Sequence, residues 1–148
     1  MNADQELLER DVTERVIGVF YAVYNELGAG FVESVYENAM ALALREAGLI
    51  VEQQHPLTVE FRGQTVGEFR VDLLVEHRIV IELKAVSFLT TAHEVQLVNY
   101  LKATGAPVGL LLNFGRQAQF KRRVLSQPKN QIRVNPRLSA SKSAPLGS

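Results

Sequence analysis

Residues 70–86 read RVDLLVEHRIVIELKAV. The apolar residues fall in two runs around a short polar break, the pattern of two adjacent buried strands. Asp72, Glu82 and Lys84 stand inside those runs. Burying a charge is costly unless it is paired or holds a metal ion. Strand alternation puts Ile79, Ile81 and Leu83 on one face and Val80, Glu82 and Lys84 on the other. Asp72 joins Glu82 and Lys84 only if the hairpin loop has an odd length. Opposite Glu82, the turn centres on His77; opposite Lys84, the turn is two residues longer. A strict two-residue turn at His77 and Arg78 would put Asp72 on the wrong face, barring a bulge.

The remaining elements follow from periodicity. Leu8, Val12, Val16, Val19, Phe20, Val23 and Leu27 recur at helical spacing, so a helix is expected over 5–27, stopped by the glycines of LGAG. A second helix is expected over 31–47, with Val32, Val35, Tyr36, Ala39, Met40 and Ala43 as its apolar stripe and Gly48 as its stop. Three antiparallel-type strands follow over 49–61, 65–75 and 79–86. A third helix over 90–105 has a threonine cap and a glycine stop. APVGLLLNFG (106–115) reads as a buried strand and QFKRRVL (119–125) as one more short strand. The order ααβββαβ(β) implies an α/β fold. A helix joining the third and fourth strands suits a parallel crossover, which gives a mixed sheet with helices on its faces.

At 148 residues the chain is long enough for one domain with a real core. Residues 1–125 are expected to form that domain. From Ser126 onward the sequence is rich in Ser, Pro and Lys/Arg and poor in apolar residues, as in a basic, mostly disordered tail. The chain has no cysteine, which excludes disulfides, thiolate zinc sites and iron–sulfur clusters. No signal peptide and no apolar run of membrane-spanning length is visible, so a cytoplasmic protein without a membrane partner is expected. Residues 1–94 hold all 16 acids and 7 bases, whereas residues 95–148 hold 9 bases and no acid. Such asymmetry marks either a nucleic-acid-facing end or a solvated tail. Lys121, Arg122 and Arg123 form a compact basic run suited to phosphate contact. No helix-turn-helix or zinc finger points to sequence-specific reading.

If Asp72, Glu82 and Lys84 converge, the two carboxylates repel and one takes a proton unless a cation intervenes. Lys84 supplies one positive charge. A hard divalent ion, Mg²⁺ or Mn²⁺, held by carboxylates, carbonyls and water would supply the rest. Such an ion activates water and neutralises phosphate charge, and Lys84 beside it would stabilise charge on the reacting phosphate; this is phosphodiester hydrolysis. The competing reading is a structural Asp/Glu–Lys cluster at a sheet edge. Glu33, within GFVESVY (30–36), is a candidate third carboxylate reaching the ion through water, or a first-turn acid favoured by the helix dipole. Tyr36 fits a core position. Gln96 and Tyr100 share a helix face with His93. They are candidates to orient the lysine or touch a phosphate, although packing explains Tyr100 nearly as well. His93 is either a proton shuttle or an exposed helix histidine.

These segments together resemble a known family. GFVESVY matches the signature of the GxxExxY family, which is placed in the PD-(D/E)xK nuclease superfamily. VYNELGAGFVESVYENA, FRVDLLVEHRIVIELKAV, HEVQLVNYLKATG and GLLLNFG extend the resemblance over about residues 10–125. By that resemblance the fold is restriction-endonuclease-like, and Asp72, Glu82 and Lys84 stand for the D…ExK core. Glu33 stands for the acid on the helix before the sheet, and Gln96 and Tyr100 for the QxxxY helix motif of the RecB-like branch. Val71 replaces the usual proline. The resemblance implies a Mg²⁺- or Mn²⁺-dependent nuclease acting on DNA, with RNA second. The alternative is a non-catalytic nucleic-acid-binding or scaffolding module that retains the fold. A homodimer is open to such a nuclease, since many such folds cut two strands as pairs, although the sequence shows no diagnostic interface.

Overall fold

The computed structural model describes residues 3–125. The elements are α1 (Ala3–Leu27), α2 (Glu33–Glu46), β1 (Val51–Phe61), β2 (Gln64–Val75), β3 (Ile79–Lys84), α3 (Thr91–Thr104), β4 (Val108–Phe114) and β5 (Ala118–Val124). They form one five-stranded sheet in the order β1-β2-β3-β4-β5. The β3/β4 pair, bridged by α3, is parallel and the other pairs are antiparallel. This is the mixed α/β arrangement that the pattern of apolar periods predicts. Among the described residues no helix is long and apolar enough to cross a membrane. The tail expected from Ser126 lies outside the described residues.

The sheet is covered on both faces, so β3 and β4 are buried almost throughout. On one side Ile79, Ile81 and Leu83 meet Val16 and Phe20 of α1 and Met40 and Leu44 of α2. On the other, Val80 and Leu111 meet Leu97 and Leu101 of α3. Helix α3 lies very close to β4: a Cβ on Gly109 would stand 2.8 Å from Leu97 Cδ1. Thr90 and His93 close its first turn as a capping box, and Gly105 ends it in the left-handed conformation with φ 76°. In α1 the buried residue near the start is Glu9, not the expected Leu8. Arg78 reaches Glu9 with Nη1 3.1 Å from Oε2, which compensates the buried charge.

Helix α2 begins at Glu33, two residues later than expected. Gly30 has φ 113°, a conformation closed to a helix and costly for any other residue. The Tyr36 hydroxyl ties the loop down, donating to Gly28 O at 2.5 Å and accepting from Phe31 N–H at 3.2 Å. Its ring stacks on Phe114 of β4, with centroids 4.3 Å apart. Val32, expected on the apolar stripe, is therefore exposed. Strand β3 ends at Lys84 because Asn113 captures the following backbone: Val86 N–H donates to its Oδ1 and its Nδ2 donates to Val86 O. Gly115 permits this approach, since a Cβ there would lie 2.1 Å from Val86 O.

Tyr36→Phe should keep the ring stack and lose both hydroxyl bonds. The expected cost is about 1–3 kcal/mol, read as a lower midpoint in urea unfolding at unchanged slope.

Candidate active site

The β2–β3 hairpin has a three-residue loop, Glu76–His77–Arg78, closed by the pair Val75↔Ile79. This is the shorter of the two odd loops open to the sequence. Glu76 and His77 both hold positive φ without being glycine (54° and 57°). The neighbourhood fixes that strain: Glu76 N–H donates to Ile50 O, Ile50 N–H donates to Glu76 Oε2, and Arg78 is tied to Glu9. The ladder continues through Leu74↔Val80 to Leu73↔Ile81 and then stops. One step further, Asp72 and Glu82 face each other.

Side chains take over where the backbone ladder ends. Asp72 N–H donates to Glu82 Oε2 at 3.0 Å, and Leu83 N–H donates to Asp72 Oδ2 at 2.8 Å. Each acid is thus fastened to the other's strand. Burial, then the charge of Asp72, pushes the Glu82 carboxyl up to about 8; the bond from Asp72 N–H and the nearby Lys84 act in the opposite sense. Burial also raises Asp72. The bond from Leu83 lowers it, Glu37 raises it, Gln54 lowers it and Glu33 raises it. With its value above neutrality, the Glu82 carboxyl holds a proton at pH 7.

Lys84 is half-buried two residues along β3, on the same face as Glu82. Among the described residues it has no ion-pair partner, so its ammonium is available to a ligand. Glu33 is exposed at the start of α2 and reaches both acids through its charge rather than through a hydrogen bond. Tyr100 of α3 stands beside the pair, its hydroxyl raised by burial and then by the charges of Glu82 and Asp72. Gln96, one turn earlier, shares with Tyr100 a cleft of about 650 Å³ between α3 and the far half of the β1–β2 hairpin, whose wall includes Leu57, Val59 and Phe69. His93 is used in the α3 cap, where its Nδ1 accepts from Thr90 N–H.

The basic run is divided by strand alternation. Arg122 turns toward α1, beside Glu6 and Glu9. Arg123 turns the other way and pairs with Glu94 of α3. Lys121 stands in one row with Glu82 through Leu111, two strands away or roughly 10 Å. Two neighbours of the acids escaped the sequence reading, Glu37 and Gln54. Gln54 Nε2 donates to Glu37 Oε1 at 2.7 Å and to Asp72 Oδ1 at 3.3 Å. The four-residue interval from Glu33 to Glu37 on a helix was the available signal; Gln54 offered none.

Among the described residues no three of His, Cys, Asp or Glu converge as a ready set of metal ligands. The expected trio of Asp72, Glu82 and Glu33 is therefore a pair with a more distant third charge. The pair still fits a hard divalent cation. Mg²⁺ commonly takes one or two carboxylates and keeps its waters. Only one oxygen of each acid is bound to a backbone N–H, and two repelling carboxylates are what such an ion stabilises.

A family model of the PD-(D/E)XK nuclease superfamily matches residues 10–124. No curated protein matches the chain. Among solved structures, the crystal structure of SSO0001 is similar at 18% identity with a TM-score of 0.50, covering 65% of this chain and 51% of that one. The chain thus spans about half the length of that structure, and the likeness concerns the fold. Sheet order and helix placement fit the restriction-endonuclease-like fold.

Stability should depend on pH through Glu82. Its folded value, about 8, lies above the unfolded one, so its contribution is fully present below about pH 4.5 and is lost as pH rises through about 8. The metal-free protein should lose on the order of 5 °C in Tm between pH 5 and 8.5. Glu82→Gln should flatten that slope, as followed by differential scanning calorimetry.

Proposed function

We infer the function from one premise: this chain belongs to the PD-(D/E)XK nuclease superfamily. Nucleases of this superfamily act on nucleic acid and generally use divalent metal ions. Within it, we assign the chain to the GxxExxY family and read it as a Mg²⁺- or Mn²⁺-dependent nuclease that hydrolyses phosphodiester bonds of DNA, with RNA second. The observation that carries this reading is the reciprocal fastening of Asp72 and Glu82 beside Lys84, which has no ion-pair partner among the described residues.

Asp72 and Glu82 would hold the cation through their carboxylates. The bound ion supplies charge neutralisation and a water of lowered pKa. Glu82 gives up its proton when the site fills, because a cation favours the ionised pair. Lys84 lies two residues from Glu82, with its ammonium directed to the phosphate, where it stabilises the charge that builds up as water attacks. Glu33 orients water from the α2 side. Tyr100 and Gln96 line the mouth of the cleft and support the substrate strand. Lys121 is the member of the basic run placed to meet a neighbouring phosphate, whereas Arg122 and Arg123 serve the flanks. Residues 1–125 constitute the catalytic domain and 126–148 a basic appendage.

One observation favours the non-catalytic module: Glu33 does not complete a triad of ligands. Cleavage separates the two readings. Asp72→Ala and Lys84→Ala should each lower Mg²⁺-dependent cleavage of mixed single- and double-stranded DNA by roughly 100-fold or more, with nucleic-acid binding largely kept. Unchanged cleavage in either variant would contradict the mechanism. Binding that ignores both Mg²⁺ and Asp72→Ala would establish the binding module.

A further inference from the structure

The β1–β2 ribbon crosses from one face of the sheet to the other at a single point. Val51, Leu73 and Val75 pack on the α1/α2 side, whereas Leu57 and Val71 pack on the α3 side. All five positions are odd-numbered, so regular alternation would keep each strand's set on one face. Between them lie Gln54 and Asp72. The ladder pairs Gln53 with Leu73 and His55 with Val71 but skips the two residues between. The register is the same on both sides, so no residue has been inserted and the crossing is not a bulge.

Its origin is Gln54, whose φ is 52° in the interior of a strand. That conformation costs a residue with a Cβ roughly 1 kcal/mol or more, and it persists only when the surroundings hold it. Here they do. The Gln54 carbonyl accepts from Arg70 Nη1 at 3.0 Å. The side-chain amide has two hydrogens, and Nε2 donates to Glu37 Oε1 at 2.7 Å and to Asp72 Oδ1 at 3.3 Å. Glu37 is fixed in turn by Gln53 Nε2 at 3.0 Å. A neutral amide therefore stands between two carboxylates that would otherwise repel, and it holds Asp72 from the side opposite Leu83.

We propose that Gln54 is a positioning residue of the candidate active site, anchored by Glu37. Its left-handed backbone and bridging amide aim the Asp72 carboxylate at β3. The consequence for cleavage rests on the nuclease reading above; the geometric claim does not. Without the amide, or without the Glu37 carboxylate that anchors it, Asp72 Oδ1 is no longer held and the carboxylate turns more readily, which weakens the bond that Oδ2 accepts from Leu83 N–H.

Gln54→Gly is the decisive variant, because glycine keeps the positive φ without strain and removes only the side chain. The first readout is amide hydrogen exchange in the full chain without metal. Leu83 should exchange about 10-fold faster relative to Ile81 and Leu110, since the acceptor of its hydrogen bond is no longer held. Glu37→Ala, which lies on a helix and leaves the strand intact, should move Leu83 in the same direction. The second readout is cleavage: kcat should fall about 10-fold and the Mn²⁺ concentration for half-activity should rise, with KM for DNA unchanged. Gln54→Ala should add a drop in Tm that Gln54→Gly lacks. Wild-type exchange at Leu83 in both Gln54→Gly and Glu37→Ala would overturn the proposal. Absence of cleavage by the wild type would overturn the nuclease reading alone, since Leu83 exchange still decides the role of Gln54.

Discussion

The structure turns on the point where β2 and β3 stop pairing through their backbones and begin pairing through Asp72 and Glu82. A buried Glu82 facing a half-buried Asp72 is unfavourable by desolvation and by charge. They persist because each accepts a hydrogen bond from the other's strand, Glu82 from Asp72 N–H and Asp72 from Leu83 N–H. The strands in turn are locked by features well away from the acids. The strained turn at Glu76 and His77 fixes the odd register, Asn113 and Gly115 fix the exit of β3, and Tyr36 fixes the loop before α2. A fully buried β3/β4 core supplies the rigidity that holds the acids in place.

The GFVESVY motif looks like a set of functional residues but divides into different physical tasks. Gly30 provides a backbone conformation, and Tyr36 provides a hydroxyl staple and a stacked ring against Phe114. Only Glu33 faces the acids, and it acts through charge. The motif is thus mainly a device for delivering the start of α2, with Glu33 and Glu37, to the end of the sheet. Glu37 lies one turn further on and is the member hydrogen-bonded into the network around Asp72.

Much of this was legible in the sequence because it depends on period and parity. Helical spacing located all three helices, alternation placed Glu82 and Lys84 on one face, and parity demanded an odd loop before Asp72 could join them. What was not legible depends on contacts distant in the chain. Glu9 is buried only because Arg78 comes to it across 69 residues. The basic run at Lys121 looks compact in sequence, yet a strand necessarily sends alternate residues to opposite faces. Gln54 has no local signature for a left-handed conformation, which is usual for glycine or asparagine and uncommon for glutamine. Its role became visible only with Glu37 and Asp72 on either side.

The most direct test of the account is a calorimetric titration of Mn²⁺ or Mg²⁺ into the wild type at pH 7, without nucleic acid, in two buffers of different ionisation enthalpy. If Glu82 holds a proton that a cation displaces, binding should release close to one proton per ion, and Asp72→Asn should abolish both binding and release. Saturable binding with that proton count would establish the acid pair as a metal site. No binding by the wild type, or binding without proton release, would mean that the pair is a structural clasp between two strands.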